Sequence, residues 1–186
     1  MTLSVLVALA DGFEEIEAVT PIDVLRRAGL NVTTVGLVGR TVTGSHGIVL
    51  TTDQAWSDLT FPSPDVLVLP GGMPGSQNLG IHPDLQQMAR QMAQADGCLA
   101  AICAAPAFTL AAWGLLAGRR ATCYPGCEKM FPADVTYRDD PVVVDARVIT
   151  ARGPGVALEF SFRLVELLQG TDAVNQLRSQ MQCATS

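Results

Sequence analysis

Short apolar runs alternate with helix-patterned stretches from one end of the chain to the other, and this alternation limits the available folds more than any other feature. Residues 3–9, 32–37, 66–69, 99–102, 120–124 and 142–150 read as strands. Residues 15–28, 83–95, 106–115, 156–168 and 172–181 read as helices. Strands interleaved with helices predict βαβ units and a mostly parallel sheet covered on both faces. Runs such as Val66-Leu67-Val68-Leu69 lack polar alternation, which suits strands buried on both sides. A polar, hairpin-like insertion containing Gly39-Arg40 and Gly44-Ser45-His46-Gly47 joins the second and third strands. Neither a repeat nor a linker interrupts the pattern, so residues 1–186 read as a single α/β domain. Open sheets of this kind bind ligands beyond the carboxyl ends of their strands. That rule singles out four loops, at 10–15, 70–75, 102–106 and 152–155.

Composition narrows the class of function. Eighteen acidic residues against twelve Lys and Arg give a net charge of −6, and Lys129 is the only lysine. The densest basic clusters are the pairs Arg26-Arg27 and Arg119-Arg120, so no basic stripe exists to follow a phosphate backbone, and a nucleic-acid groove is excluded. No window of about 18 uninterrupted apolar residues offers a membrane-spanning helix. A chain that is 48% hydrophobic and 16% charged is not disordered. At this length it buries roughly 70% of its unfolded surface without a disulfide or metal staple. The five cysteines are an odd number, and His46 and His82 lie apart from all of them, which fits neither a disulfide framework nor a zinc spacing. No metal and no other cofactor is expected. Residues 3–10 resemble a short signal core, but no Lys or Arg precedes them, so a buried first strand in a reducing, cytoplasmic compartment is the reading.

Small-molecule chemistry points first to Leu99-Ala-Ala-Ile-Cys103-Ala-Ala-Pro106. An apolar strand runs directly into a cysteine, then small residues, then a proline suited to a first helical turn. This is the strand–turn–helix logic of a nucleophile elbow, with Cys for Ser and Ala for Gly. The positive end of the following helix is expected to lower the Cys103 pKa. Glu17 shares a helical stripe with Pro21, Val24 and Ala28, away from the wet face marked by Asp23, Arg26 and Arg27. A carboxyl on a dry face is expected to have a raised pKa and to donate to a thiolate. Glu14 and Glu15 read as first-turn acids that favour the helix dipole. Pro70-Gly71-Gly72-Met73-Pro74-Gly75 offers backbone N–H groups to an oxyanion but matches neither a P-loop nor G-x-G-x-x-G. Arg152-Gly153-Pro154-Gly155 is a tight turn expected to wall the pocket. Cys98, Cys123 and Cys127 read as core or incidental thiols, and His82 as a surface loop residue. No His follows Cys103, so a Cys–His dyad in that order is absent.

The stretches DGFEEIEAVTPIDVLRRAG, DVLVLPGG, LAAICAAPA and RGPGVALEF together resemble the ThiJ/PfpI superfamily, most of all its small single-domain, YajL-like branch. The resemblance implies a flavodoxin-like three-layer sandwich that forms a homodimer. It assigns Cys103 as an oxidation-prone nucleophile and Glu17 as its protonated hydrogen-bond partner. Gly71, Gly72 and Ala104 supply amides around the thiol, and Pro154 walls the pocket. His46 falls where the family places a polar or basic residue reaching across from the partner subunit. Tyr124 takes a position near the cysteine that carries an aromatic in the YajL-like branch. Peptidase-type relatives carry a His directly after the nucleophile, where this chain has Ala104, so peptidase activity is not expected.

The activity implied is cysteine-dependent detoxification of small dicarbonyls such as methylglyoxal or glyoxal without glutathione. Deglycation of proteins or nucleotides extends the same hemithioacetal chemistry. An alternative is a redox-responsive sensor or chaperone in which Cys103 becomes a sulfinate rather than turning over. A third, a flavin-binding flavodoxin-like domain, predicts yellow protein.

Overall fold

The computed structural model describes residues 2–59 and 63–183. Seven strands form one sheet in the order β10-β11-β7-β6-β1-β2-β5: Val142–Asp145, Val148–Ala151, Cys98–Ile102, Val66–Leu69, Ser4–Leu9, Asn31–Gly36 and Gln54–Ala55. All neighbours pair in parallel except β10 with β11. The period of two along β1 divides the core. Val5, Val7 and Leu9 face one layer with α1 (Glu15–Arg27), α4 (Ala157–Gln169) and α5 (Thr171–Gln180). Leu6, Ala8 and Ala10 face the other, with α2 (Gly75–Gly80), α3 (Pro83–Gln94) and the turn that follows β7. This is the expected mostly parallel three-layer sandwich.

The chain leaves β1 for β2 on one side and returns to β6 on the other, so strand order reverses at β1 and β6. Such a reversal opens a crevice at the carboxyl ends of the strands. The insertion is a hairpin, β3 (Thr41–Thr43) antiparallel to β4 (Val49–Thr51), as its glycines suggest.

Three local expectations need correction. Residues 142–150 are not one strand: Ala146, with φ of +53°, reverses the chain between β10 and β11. Residues 106–115 do not form a regular α-helix. Pro106–Ala111 is π-helical, with Thr109 Oγ1 donating to the Ala105 carbonyl at 2.5 Å, a side-chain bond that competes with the backbone ladder. Of residues 120–124 only Arg120–Ala121 (β8) is strand, paired with Thr136–Tyr137 (β9) in a separate ribbon. Beyond it, Thr122 N–H donates to Thr150 Oγ1 and Tyr124 N–H to the Cys103 carbonyl, leaving the strand ladder for the site. Helix α2, which the sequence reading left unassigned, follows directly on the loop at 70–75.

Candidate active site

Cys103 stands at the end of β7 with φ of +65°, a conformation rarely adopted by residues with a Cβ. Its backbone is held on both sides: its N–H donates to Ala151 O at 2.8 Å, and its carbonyl accepts from Tyr124 N at 2.7 Å. The central strands and the returning chain thus hold the elbow in its strained form. The residue is 9% exposed, so only a small reagent reaches its sulfur.

Glu17 reaches the same place from α1. Of its stripe, Glu17, Pro21 and Val24 are buried and Ala28 is partly so, and Glu17 itself is fully covered. Gly71 N–H donates to Glu17 Oε2 at 2.9 Å, whereas Oε1 is buried with no hydrogen-bond partner. Burial pushes the Glu17 carboxyl up to about 7, against the opposing pull of the Cys103 side chain and the Gly71 N–H. The raised carboxyl agrees with the sequence reading.

The thiol does not behave as the sequence suggests. Burial, and then the neighbouring Glu17 carboxylate, push the Cys103 pKa up, while the N–H groups of Gly72 and Ala104 pull it down. Enclosure and a like charge outweigh the amides and the short turn that follows, so the resting cysteine is a thiol. Cys103 and Glu17 share their protons as a pair, and the carboxyl is the member that titrates near neutrality.

The β6 loop fits between them only because it lacks side chains. A Cβ on Gly71 would lie 2.4 Å from Glu17 Oε2 and 2.5 Å from Cys103 Cβ. Gly72 has φ of +88°, and a Cβ there would lie 2.4 Å from both Gly12 O and Glu14 N. The loop after β1 is tied to it, Glu14 N–H donating to Gly71 O at 3.0 Å. The loop after β11 closes the fourth side. A Cβ on Gly153 would meet the Tyr124 ring at 3.4 Å and Glu17 Oε1 at 4.0 Å, so this glycine lies between them, with Pro154 next in the chain. All four strand-end loops therefore converge. A cleft of about 300 Å³ between Trp56 and α3 is lined by none of these residues.

His46 is placed differently. Its Nδ1 lies 3.0 Å from Glu15 Oε2 and 3.3 Å from Glu14 Oε2. Glu15 is the residue that the sequence undervalued. Its Oε1 accepts the His46 and Ile48 N–H groups, fixing the hairpin turn over α1. Burial alone would raise its pKa, but these bonds and the His46 side chain bring it down to about 2. No local pattern joins Glu15 to a turn thirty residues away. His82 is a helix cap, its Nδ1 accepting from Leu85 N at 3.2 Å.

The sequence profile of the DJ-1/PfpI family matches residues 3–167. Protein DJ-1 homolog B of Arabidopsis thaliana is 42% identical over 173 residues, 92% of this chain. The chain spans 39% of that protein's length and 46% of a second Arabidopsis homologue's, so it covers less than half of either. A Caenorhabditis elegans protein named glutathione-independent glyoxalase DJR-1.2 is 37% identical over 164 residues, 88% of this chain and 87% of its own. The structure of an oxidized DJ-1 from Toxoplasma gondii matches with a TM-score of 0.94 at 34% identity, covering 99% of this chain and all of the other.

Proposed function

This chain belongs to the DJ-1/PfpI family, and from that premise and the pairing of Cys103 with Glu17 we propose that it is a glutathione-independent glyoxalase acting on small dicarbonyls. The observation that carries the reading is the buried Glu17 carboxyl beside the thiol, titrating near 7 with one oxygen unpartnered. A general base is most effective when its pKa lies near the working pH. Glu17 carboxylate takes the thiol proton as Cys103 Sγ bonds to the aldehyde carbon of methylglyoxal, giving a hemithioacetal. The N–H groups of Gly72 and Ala104 receive the oxyanion. Glu17 hands the thiol proton to that oxyanion, completing the hemithioacetal. As a carboxylate it then removes the proton from the former aldehyde carbon while the neighbouring ketone oxygen takes a proton from water. The resulting enediol is reprotonated by Glu17 at the neighbouring carbon as the first hydroxyl loses its proton to water, leaving a lactoyl thioester. Water hydrolyses the thioester, releasing lactate and restoring the thiol. The sum is methylglyoxal plus water to lactic acid, with no external oxidant or reductant. Adducts of the same dicarbonyls on proteins or nucleotides are a further substrate class. Gly71, Pro154 and Tyr124 shape the opening, which suits substrates of a few heavy atoms.

The same unpartnered oxygen favours a second reading. A protonated Glu17 beside Cys103 suits a sulfinate, which the Gly72 and Ala104 amides also solvate, so the protein acts as a redox sensor or chaperone. The substitution Glu17→Gln separates the two. Gln cannot accept the thiol proton but still donates a hydrogen bond. Under the glyoxalase reading turnover is lost while peroxide still yields sulfinate by mass spectrometry; surviving turnover overturns the proton-shuttle role.

We also assign the chain as a cytoplasmic homodimer with one folding unit. Ile16, Val19, Ile48 and Val49 support the dimer, being large apolar side chains 45–56% exposed on α1 and the adjoining hairpin. His46, 70% exposed on that hairpin, is then available to the partner subunit.

A further inference from the structure

The two oxygens of the Glu17 carboxyl are treated differently by the fold. Oε2 accepts from the Gly71 N–H, whereas Oε1 is buried and unpartnered. A buried oxygen without a donor costs stability, so the wall that keeps it dry calls for a reason beyond packing. The neighbours of Gly153 identify that wall. A Cβ on Gly153 would stand 4.0 Å from Glu17 Oε1 and 3.4 and 3.8 Å from Cδ2 and Cε2 of the Tyr124 ring. Glu17 is fully covered and Tyr124 is half-exposed, so the order from inside to outside is carboxyl, glycine, ring. The backbone that carries the ring is pinned on both sides. Tyr124 N–H donates to Cys103 O at 2.7 Å, and Tyr124 O accepts from Cys127 N–H at 2.9 Å across a turn closed by Gly126, with φ of +98°. Ring and thiol therefore share one fixed frame.

We propose that Tyr124 is a positioning residue: laid on Gly153, its ring keeps water from Glu17 Oε1 and leaves that oxygen free for the substrate. The proposal rests on Glu17 as the proton carrier of the glyoxalase reading. Its consequence is electrostatic. Burial is the largest influence holding the Glu17 carboxyl near 7, and Glu14, in the loop before α1, acts in the same direction. The Cys103 side chain from the elbow and the Gly71 N–H from the β6 loop oppose them. Admitting water to Oε1 weakens the largest of these influences and lets the carboxyl fall toward its ordinary 4.5. The contacts to Gly153 are made by ring carbons, so a phenyl ring serves as well as a phenol. The competing arrangement is that Gly71, Cys103 and the sheet alone keep the carboxyl dry, with Tyr124 only lying on the surface.

The two are distinguished by following the carbon-13 shift of the Glu17 carboxyl against pH in the intact protein, its signal identified by loss in Glu17→Gln. This titration needs no turnover. In Tyr124→Ala the midpoint should fall from near 7 by at least about one pH unit, a tenfold loss of proton affinity, and in Tyr124→Phe it should stay within about 0.3 unit. Tyr124→Ser removes the same ring should the Ala variant fail to fold, and circular dichroism confirms the fold of each. With methylglyoxal, the rising limb of the pH–rate profile should move to lower pH in the Ala variant and stay in place in Tyr124→Phe. An unchanged midpoint once the ring is removed, or an equal fall in Tyr124→Phe, overturns the proposal. A midpoint that falls in Tyr124→Ala while the wild type fails to turn over methylglyoxal supports the shielding and overturns the glyoxalase reading instead.

Discussion

At the scale of single residues, hydrogen-bond partners give two buried acids, Glu17 and Glu15, opposite characters within one helical turn. Glu17 has one amide donor and is pushed up to about 7; Glu15 has several donors and is pulled down to about 2. The rate of dicarbonyl turnover should therefore rise with pH through about 7, as Glu17 becomes a base. Replacing Glu17 by Gln should lower kcat by about 10²–10⁴-fold and flatten that limb of the pH–rate profile. Stability follows the same groups in opposite directions. Glu17, raised in the fold from its ordinary 4.5, contributes its stabilisation fully below 4.5 and loses it as pH rises to about 7. Glu15 contributes above 4.5 and loses its share as pH falls toward 2. Denaturant unfolding from pH 4 to 8 should accordingly show a decline of about 3 kcal/mol in the wild type that is missing in Glu17→Gln. An equal decline in the variant would contradict the assignment. Cys103 and Glu17 were legible in sequence because a strand-end cysteine and a dry-face acid each break a local rule. The thiol's high pKa was not, since it depends on enclosure by loops from three other strands.

At the scale of elements, the sheet was legible wherever a strand is buried on both faces. Val66–Leu69 occurs as read, and β1, β2 and β7 differ from expectation only at their ends. Misreadings fall where tertiary partners replace the ladder. Residues 122–124 leave their strand to bond Thr150 and Cys103, and the chain reverses at Ala146 without Gly or Asn. The α4 helix positions the loop at 152–155 and packs on α1, which carries Glu17, with Phe160 fully buried between them and the sheet. Phe160→Ala should cost about 3–5 kcal/mol, read as a lower denaturant midpoint. A loss below about 1 kcal/mol would show that α4 docks without this anchor.

For the whole molecule, the strand reversal at β1 and β6 converts a common architecture into a specific site. Four loops scattered through the sequence meet because the sheet brings their strand ends together. The apolar surface at Ile16, Val19, Ile48 and Val49 leads to a prediction at this scale. Sedimentation at micromolar concentration should give twice the 19.6 kDa chain mass, and Val49→Asp should shift it toward one chain. A wild-type mass near one chain would contradict the dimer. The central claim is that Cys103 and Glu17 together convert dicarbonyls. The direct test is conversion of methylglyoxal to lactate without glutathione by the wild type, Cys103→Ala and Glu17→Ala, each confirmed folded. The account predicts lactate from the wild type and none above background from either variant. No lactate from the wild type, with Cys103 still reactive to a thiol label, would contradict it and leave the redox-sensing role.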